Sequence, residues 1–188
     1  SNKTSFMLAA RRSFFDFLVA PVVSNIPFGE GGLINRYNFW DLNGKITHRF
    51  SERNRLTLMA YSGQDYAGLI DQQILNNDEN LTIERAEDVS RWGNQVASLK
   101  WDWSSGTGTS LLFKSYYTSY RFSHDRFYRN EKRKEGRLEE LESSNYEVSN
   151  GIYDVEPAFE WSQQWSPRLK SISGMGYTYH SFRPNRRE

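Results

Sequence analysis

A chain of 188 residues with a net charge of +1 is long enough for one domain and too weakly basic for a dedicated nucleic-acid binder. It holds no cysteine, which removes disulfides and thiolate metal centres, and no run of eighteen apolar residues, which removes a transmembrane helix. A mean hydropathy of -0.77 beside 15% aromatic residues does not remove a membrane, because spanning strands alternate between apolar and polar side chains and average out as polar.

The chain opens Ser1-Asn2-Lys3-Thr4-Ser5-Phe6, without the basic and then apolar stretch of a leader: either its numbering starts after processing or, as is expected, it is a fragment of a longer polypeptide. About seven strand-like segments follow, rich in Phe, Tyr, Trp, Leu, Ile and Thr. The first, 4–18, loses its alternation around Arg11 and Arg12, and its faces cannot be assigned. A long connection over 19–36 contains Phe28-Gly29-Glu30-Gly31-Gly32-Leu33, which lacks the Lys-Ser/Thr ending of a phosphate-binding loop.

The second segment, 37–50, shows period two. Trp40, Leu42, Ile46 and Phe50 share one parity, while Asp41, Asn43, Lys45, Thr47 and Arg49 share the other. A tight polar turn at Ser51–Asn54 leads to the third segment, 55–66. A long connection is expected over 67–91, where Asp71, Asn76, Asn77, Asp78 and Glu79 offer oxygens without the spacing of an EF-hand.

The fourth segment, 92–104, sets Ala97, Leu99, Trp101 and Trp103 against Ser98, Lys100 and Asp102. Its turn, Ser104-Ser105-Gly106-Thr107-Gly108, supplies glycines for positive φ before the fifth segment, 109–122. A third long connection is expected over 123–150, with the mixed-sign run Glu131–Glu142 as a solvated loop or short surface helix. The sixth segment, 151–163, sets Tyr153, Val155, Phe159 and Trp161 against Asp154, Glu156 and Glu160; Pro157, without a ladder donor, marks a bulge or local edge. A short turn at Gln164–Pro167 precedes the seventh segment, 168–182.

Short and long connections alternate along this chain. That pattern fits an all-β, antiparallel up-and-down meander with turns at one end and loops at the other, as in outer-membrane barrels. A Greek-key sandwich has no reason to alternate so strictly. In a barrel, Trp40, Leu42, Ile46, Leu99, Trp101, Val155 and Phe159 are expected to face lipid. Asp41, Asn43, Lys45, Arg49, Lys100, Asp102, Asp154 and Glu156 are then expected to form a polar lumen wall, since a lipid-facing Lys or Arg costs roughly 2–4 kcal/mol at the midplane. Tyr66, Tyr120, Phe122 and Tyr179 suit an interfacial girdle. Phe28, Tyr66, Phe127 and Tyr128 are candidate ligand-contacting loop aromatics.

His48, His124 and His180 are scattered, and no metal motif or nucleophile elbow occurs, so no metal, cofactor or enzymatic chemistry is expected.

Several strings resemble one family. They are Thr4-Ser5-Phe6-Met7-Leu8-Ala9-Ala10-Arg11-Arg12-Ser13, then Tyr37-Asn38-Phe39-Trp40-Asp41-Leu42-Asn43-Gly44-Lys45 with Arg49-Phe50-Ser51. Asn54-Arg55-Leu56 with Tyr61-Ser62-Gly63-Gln64-Asp65 follows, then Arg91-Trp92-Gly93-Asn94 with Ala97-Ser98-Leu99-Lys100-Trp101, and Gly176-Tyr177-Thr178-Tyr179-His180-Ser181-Phe182. In order and spacing they resemble the barrel of TonB-dependent receptors of the Bacteroidetes, broadly SusC-like nutrient importers. The resemblance implies a 22-stranded transmembrane barrel closed by a plug, of which this chain is a partial wall. It further implies contact with outer-membrane lipid, the plug and remaining strands of the same polypeptide, TonB acting through the plug, and a surface lipoprotein. Energised uptake of a siderophore, haem, glycan or peptide is the implied function. A structural barrel subunit of an outer-membrane assembly and a soluble carbohydrate-binding sandwich are the alternatives.

Overall fold

The computed structural model describes residues 3–13, 31–77 and 80–187, and these form eight strands in one antiparallel sheet. The strands are β1 (Thr4–Arg12), β2 (Gly31–Ser51), β3 (Asn54–Asn77), β4 (Asn80–Ser104), β5 (Thr109–Lys134), β6 (Arg137–Ser166), β7 (Leu169–Gly176) and β8 (Tyr179–Arg187). Each strand from β1 to β7 pairs with the next, and β8 pairs with β6. The all-β meander expected from the sequence is therefore present, as one open sheet.

The strands are far longer than their apolar segments. β4 runs 25 residues and β6 runs 30, against the roughly 9–11 that a tilted spanning strand requires. The excess comes from residues 31–36, 67–77, 80–91, 123–134 and 137–150, which were expected to belong to long connections and are instead paired strand. β3 and β4 stay in register out to Asn77↔Asn80, and β5 and β6 pair out to Lys134↔Arg137 with one register shift, between Lys132 and Arg133. The second hairpin turns through Glu135 at φ 48° and Gly136 at φ 78°. Two successive positive φ values make a type I′ turn, whose twist matches that of the strands it joins. The mixed charge run Glu131–Glu142 is thus a β-hairpin tip rather than a loop or helix. The stretch 19–30 and Phe28 lie outside the described residues.

The last two strands are one strand with a gap. Ala158 pairs with Gly176 and Val155 with Tyr179, so register carries straight through from β7 to β8. The gap falls opposite Pro157. The Tyr177 amide donates to the Pro157 carbonyl at 3.0 Å, but Pro157 has no N–H to return to Tyr177. Seven sequence segments and eight strands are reconciled by this single missing donor. Replacing Pro157 by valine is expected to join the two strands. One restored net hydrogen bond of about 0.5–1.5 kcal/mol should slow amide exchange around position 178 roughly two- to tenfold. Unchanged exchange would show that the proline is not the cause.

Among the described residues there is no second layer. Among the described residues the only buried hydrophobic side chain is Val89, while Phe6, Leu8, Trp40, Leu42, Ile46, Leu58, Trp101 and Phe159 are all exposed. A soluble domain would bury such a set against another element.

Candidate functional site

Directly paired residues of an antiparallel sheet point to the same side, so register sorts every described side chain onto one of two faces. Reading across β1 to β7 and β8, one face carries the row Phe6–Ile46–Leu58–Leu99–Ser115–Pro157–Tyr177. Toward the short turns stand Thr4–His48–Leu56–Trp101–Phe113–Phe159–Met175, then Asn54–Trp103–Leu111–Trp161–Ser173. Toward the long hairpins stand Leu8–Gly44–Ala60–Ala97–Tyr117–Val155–Tyr179, then Ala10–Leu42–Ser62–Gln95–Ser119–Tyr153–Ser181. Across these rows no Asp, Glu, Lys or Arg appears on this face.

The interleaved rows of the other face differ sharply. They carry Lys3, Arg49, Arg55, Asp102 and Glu160 in one row, Lys100 and Lys114 in the next, then Lys45 and Glu156, then Asp154 with His180. Turning the sheet over would place Lys45, Lys100 and Lys114 where the leucines and tryptophans stand, at roughly 2–4 kcal/mol each in a bilayer.

Register places all the sequence-selected polar residues, Asp41, Asn43, Lys45, Arg49, Lys100, Asp102, Asp154 and Glu156, on this charged face. Trp40, Leu42, Ile46, Leu99, Trp101, Val155 and Phe159 share the apolar one. Trp40 stands at the margin, in the row Arg12–Trp40–Gln64–Gly93–Arg121–Gly151–Arg183. Three aromatics read from sequence as loop residues are strand residues. Tyr66 and Phe127 lie on the apolar face beyond its band, and Tyr128 lies on the opposite one. The expected girdle is likewise divided, since Tyr66 and Tyr179 share a face while Tyr120 and Phe122 point the other way.

The polar face is cross-linked between strands. Arg11 meets Asp41 at 2.6 Å, and Asp102 receives Arg55 and Lys100 at 3.1 Å each. Asp154 accepts from Thr118 at 3.3 Å and lies 2.7 Å from the His180 ring nitrogen. Farther out, Asp88 meets Arg126 at 3.3 Å and His124 at 3.5 Å. Pairs this exposed contribute about 0–1 kcal/mol each, so their main effect is to make this face wettable. His48, near the short turns on the apolar face, bonds Thr4 at 2.7 Å. The three histidines thus have separate partners, and among the described residues no group of His, Cys, Asp or Glu is arranged to hold a metal.

The hairpin arms are charged on both faces. Glu131 is buried between Arg129 and Arg133, 2.6 and 2.5 Å away, in the row of Ile74, Ile83 and Leu141. The guanidiniums of Arg133 and Arg129 hold its carboxyl below the ordinary glutamate range. Lys132, hydrogen-bonded to Glu140 at 2.6 Å, is held above the ordinary lysine range. Sequence reasoning missed these contacts because it took the run for a loop or short helix: only as a strand does it put Arg129, Glu131 and Arg133 on one face, and only the hairpin brings Glu140 to Lys132.

No family model matches the chain, and no curated protein matches it. Among solved structures it is similar to one titled "Structure of the RagAB peptide transporter", at 8% identity and a TM-score of 0.38, over 78% of this chain and 20% of that one. It is also similar to "KdgM porin in complex with disordered oligogalacturonate", at 12% identity and a TM-score of 0.14, over 82% of this chain and 94% of that one. The chain thus spans 20% of the length of the transporter chain it matches.

Proposed function

We propose that this chain is part of the wall of an outer-membrane β-barrel, and that the barrel is a TonB-dependent, SusC-like receptor of the Bacteroidetes type importing a nutrient. The observation that carries the first half is the charge-free apolar band on one face of a single-layer sheet whose opposite face is charged. Both faces of that sheet find their solvent only if one meets hydrocarbon and the other a wet interior. A sandwich would need a second sheet over the band, and the described residues supply none.

The second half rests on the family-like strings around Arg11, Asp41, Asn54 and Arg91. On that reading the wall performs no enzymatic chemistry. Its polar face lines the space occupied by a plug, TonB acts through that plug, and the long hairpins stand outside the cell, where ligand and a surface lipoprotein would meet them. Siderophore, haem, glycan and peptide remain equal candidates, because the wall is shared scaffold.

Expression of the full-length polypeptide followed by membrane fractionation tests the barrel assignment. The protein should stay in membranes through alkaline carbonate and leave them only with detergent. Recovery of these residues as a stable monomer in detergent-free buffer would overturn it, since open sheet edges are not tolerated in hydrocarbon.

A further inference from the structure

Immediately beyond the apolar band, on the same face, lies a groove of about 680 Å³ with an unusual lining. Three arginines border it, Arg91, Arg121 and Arg183, and no Asp or Glu does. Arg121 on β5 and Arg183 on β8 both pair with Gly151 on β6, so they stand on either side of a residue with no side chain. Both guanidiniums lean onto one ring, that of Tyr153, at 5.7 and 5.2 Å. The Tyr153 ring in turn packs over Gly151, where an added Cβ would come within 3.0 Å of it. The two cations thereby flank one ring, each reaching it from a strand beside β6.

Neither Arg121 nor Arg183 has a carboxylate within ion-pair distance among the described residues; Arg91 has one, Asp125, at 2.5 Å. A second observation is independent of charge. Ser119 lines the groove, is 3% exposed, and its hydroxyl has no hydrogen-bond partner among the described residues. A buried hydroxyl left unpaired costs about 1–3 kcal/mol unless something outside the sheet completes it.

Position selects the ligand. Gly93, in the row of Arg121 and Arg183, stands ten residues along β4 from Trp103 at the other margin of the band. At roughly 3.3 Å per residue and a tilt near 40°, that is about 25 Å, the height of a barrel's hydrocarbon belt. Resting on the barrel assignment above, we propose that Arg121, Arg183 and Ser119 bind the phosphate of an anionic glycolipid in the outer leaflet, whose acyl chains lie along the apolar band. Guanidiniums suit that task, because they remain charged and match phosphate oxygens in pairs.

The test uses the full-length protein in detergent micelles, with a bis-phosphorylated, hexa-acylated glucosamine disaccharide as probe and its dephosphorylated form as comparator. Binding is followed by native mass spectrometry. Arg121→Gln/Arg183→Gln should bind the phosphorylated probe at least roughly tenfold more weakly, from the loss of two charge-assisted contacts. Arg49→Gln/Arg126→Gln, the same charge loss on the polar face, should bind it as the parent does. Equal binding by the two double variants would overturn the site. So would displacement of the probe by inorganic phosphate at equal concentration, which marks a free-anion site. Retention in carbonate-washed membranes keeps these outcomes separate from the barrel assignment; release by carbonate would overturn both.

Discussion

Arginine in place of Leu99 is expected to cost the membrane-folded protein roughly 2–4 kcal/mol, while arginine in place of the adjacent Ser98 changes stability by less than about 0.5 kcal/mol. Leu99 stands near the middle of the band, in the row with Phe6, Ile46 and Leu58, about four residues from Trp103 and six from Gly93. A guanidinium there is too deep to reach either interface without drawing water inward. Ser98 shares its row with Lys45 and Glu156, where a further cation stays wet. Denaturant titration of the full-length protein folded in phospholipid vesicles measures both. Equal costs at the two positions, or a larger one at Ser98, would mean that the apolar face does not meet lipid.

Gly93→Ala should destabilise the sheet by about 1–3 kcal/mol, against about 0.5 kcal/mol or less for Gly44→Ala. Both glycines lie inside strands and both point to the apolar face, so composition and parity treat them alike. Their surroundings do not. A Cβ on Gly93 would sit 2.5 Å from the carbonyl oxygen of Gly63 and 3.3 Å from the Cα of Gln64, which are backbone atoms of the paired strand. Neither can move without shifting the β3–β4 ladder. A Cβ on Gly44 would meet only the tip of Leu8, at 3.9 Å. Equilibrium unfolding of the two variants under the same conditions compares them directly, and matched values would show that the backbone approach at Gly93 is not a constraint.

The band was legible in the sequence because one solvated face and one apolar face impose period two. Trp40, Leu42 and Ile46 against Asp41, Asn43 and Lys45 could be sorted without coordinates, as could Leu99 and Trp101 against Lys100 and Asp102. The hairpin arms were not legible for the same physical reason. From 67 to 91 and from 123 to 150 charges stand on both faces, so hydropathy carries no period and the segments look like loops. The local signal was only partial: Gly136 suits a positive φ, but Glu135, which also adopts one, is not a residue type that favours it. The polar run around it concealed the hairpin.

Alternation and turn chemistry are properties of neighbours in the chain, and the sequence by itself determined them: strands of this parity, tight reversals near 52, 106 and 167, and a donor missing at Pro157. Which strand row meets which is a property of register, and only the tertiary structure decided it. Pairing carried Arg121 and Arg183 to opposite sides of Gly151, seated Glu131 in the row of Ile74 and Leu141, and aligned β7 with β8 along one edge. Arg121, Gly151 and Arg183 lie tens of positions apart, and a shift of a single residue in any ladder would have reversed the face of every side chain beyond it.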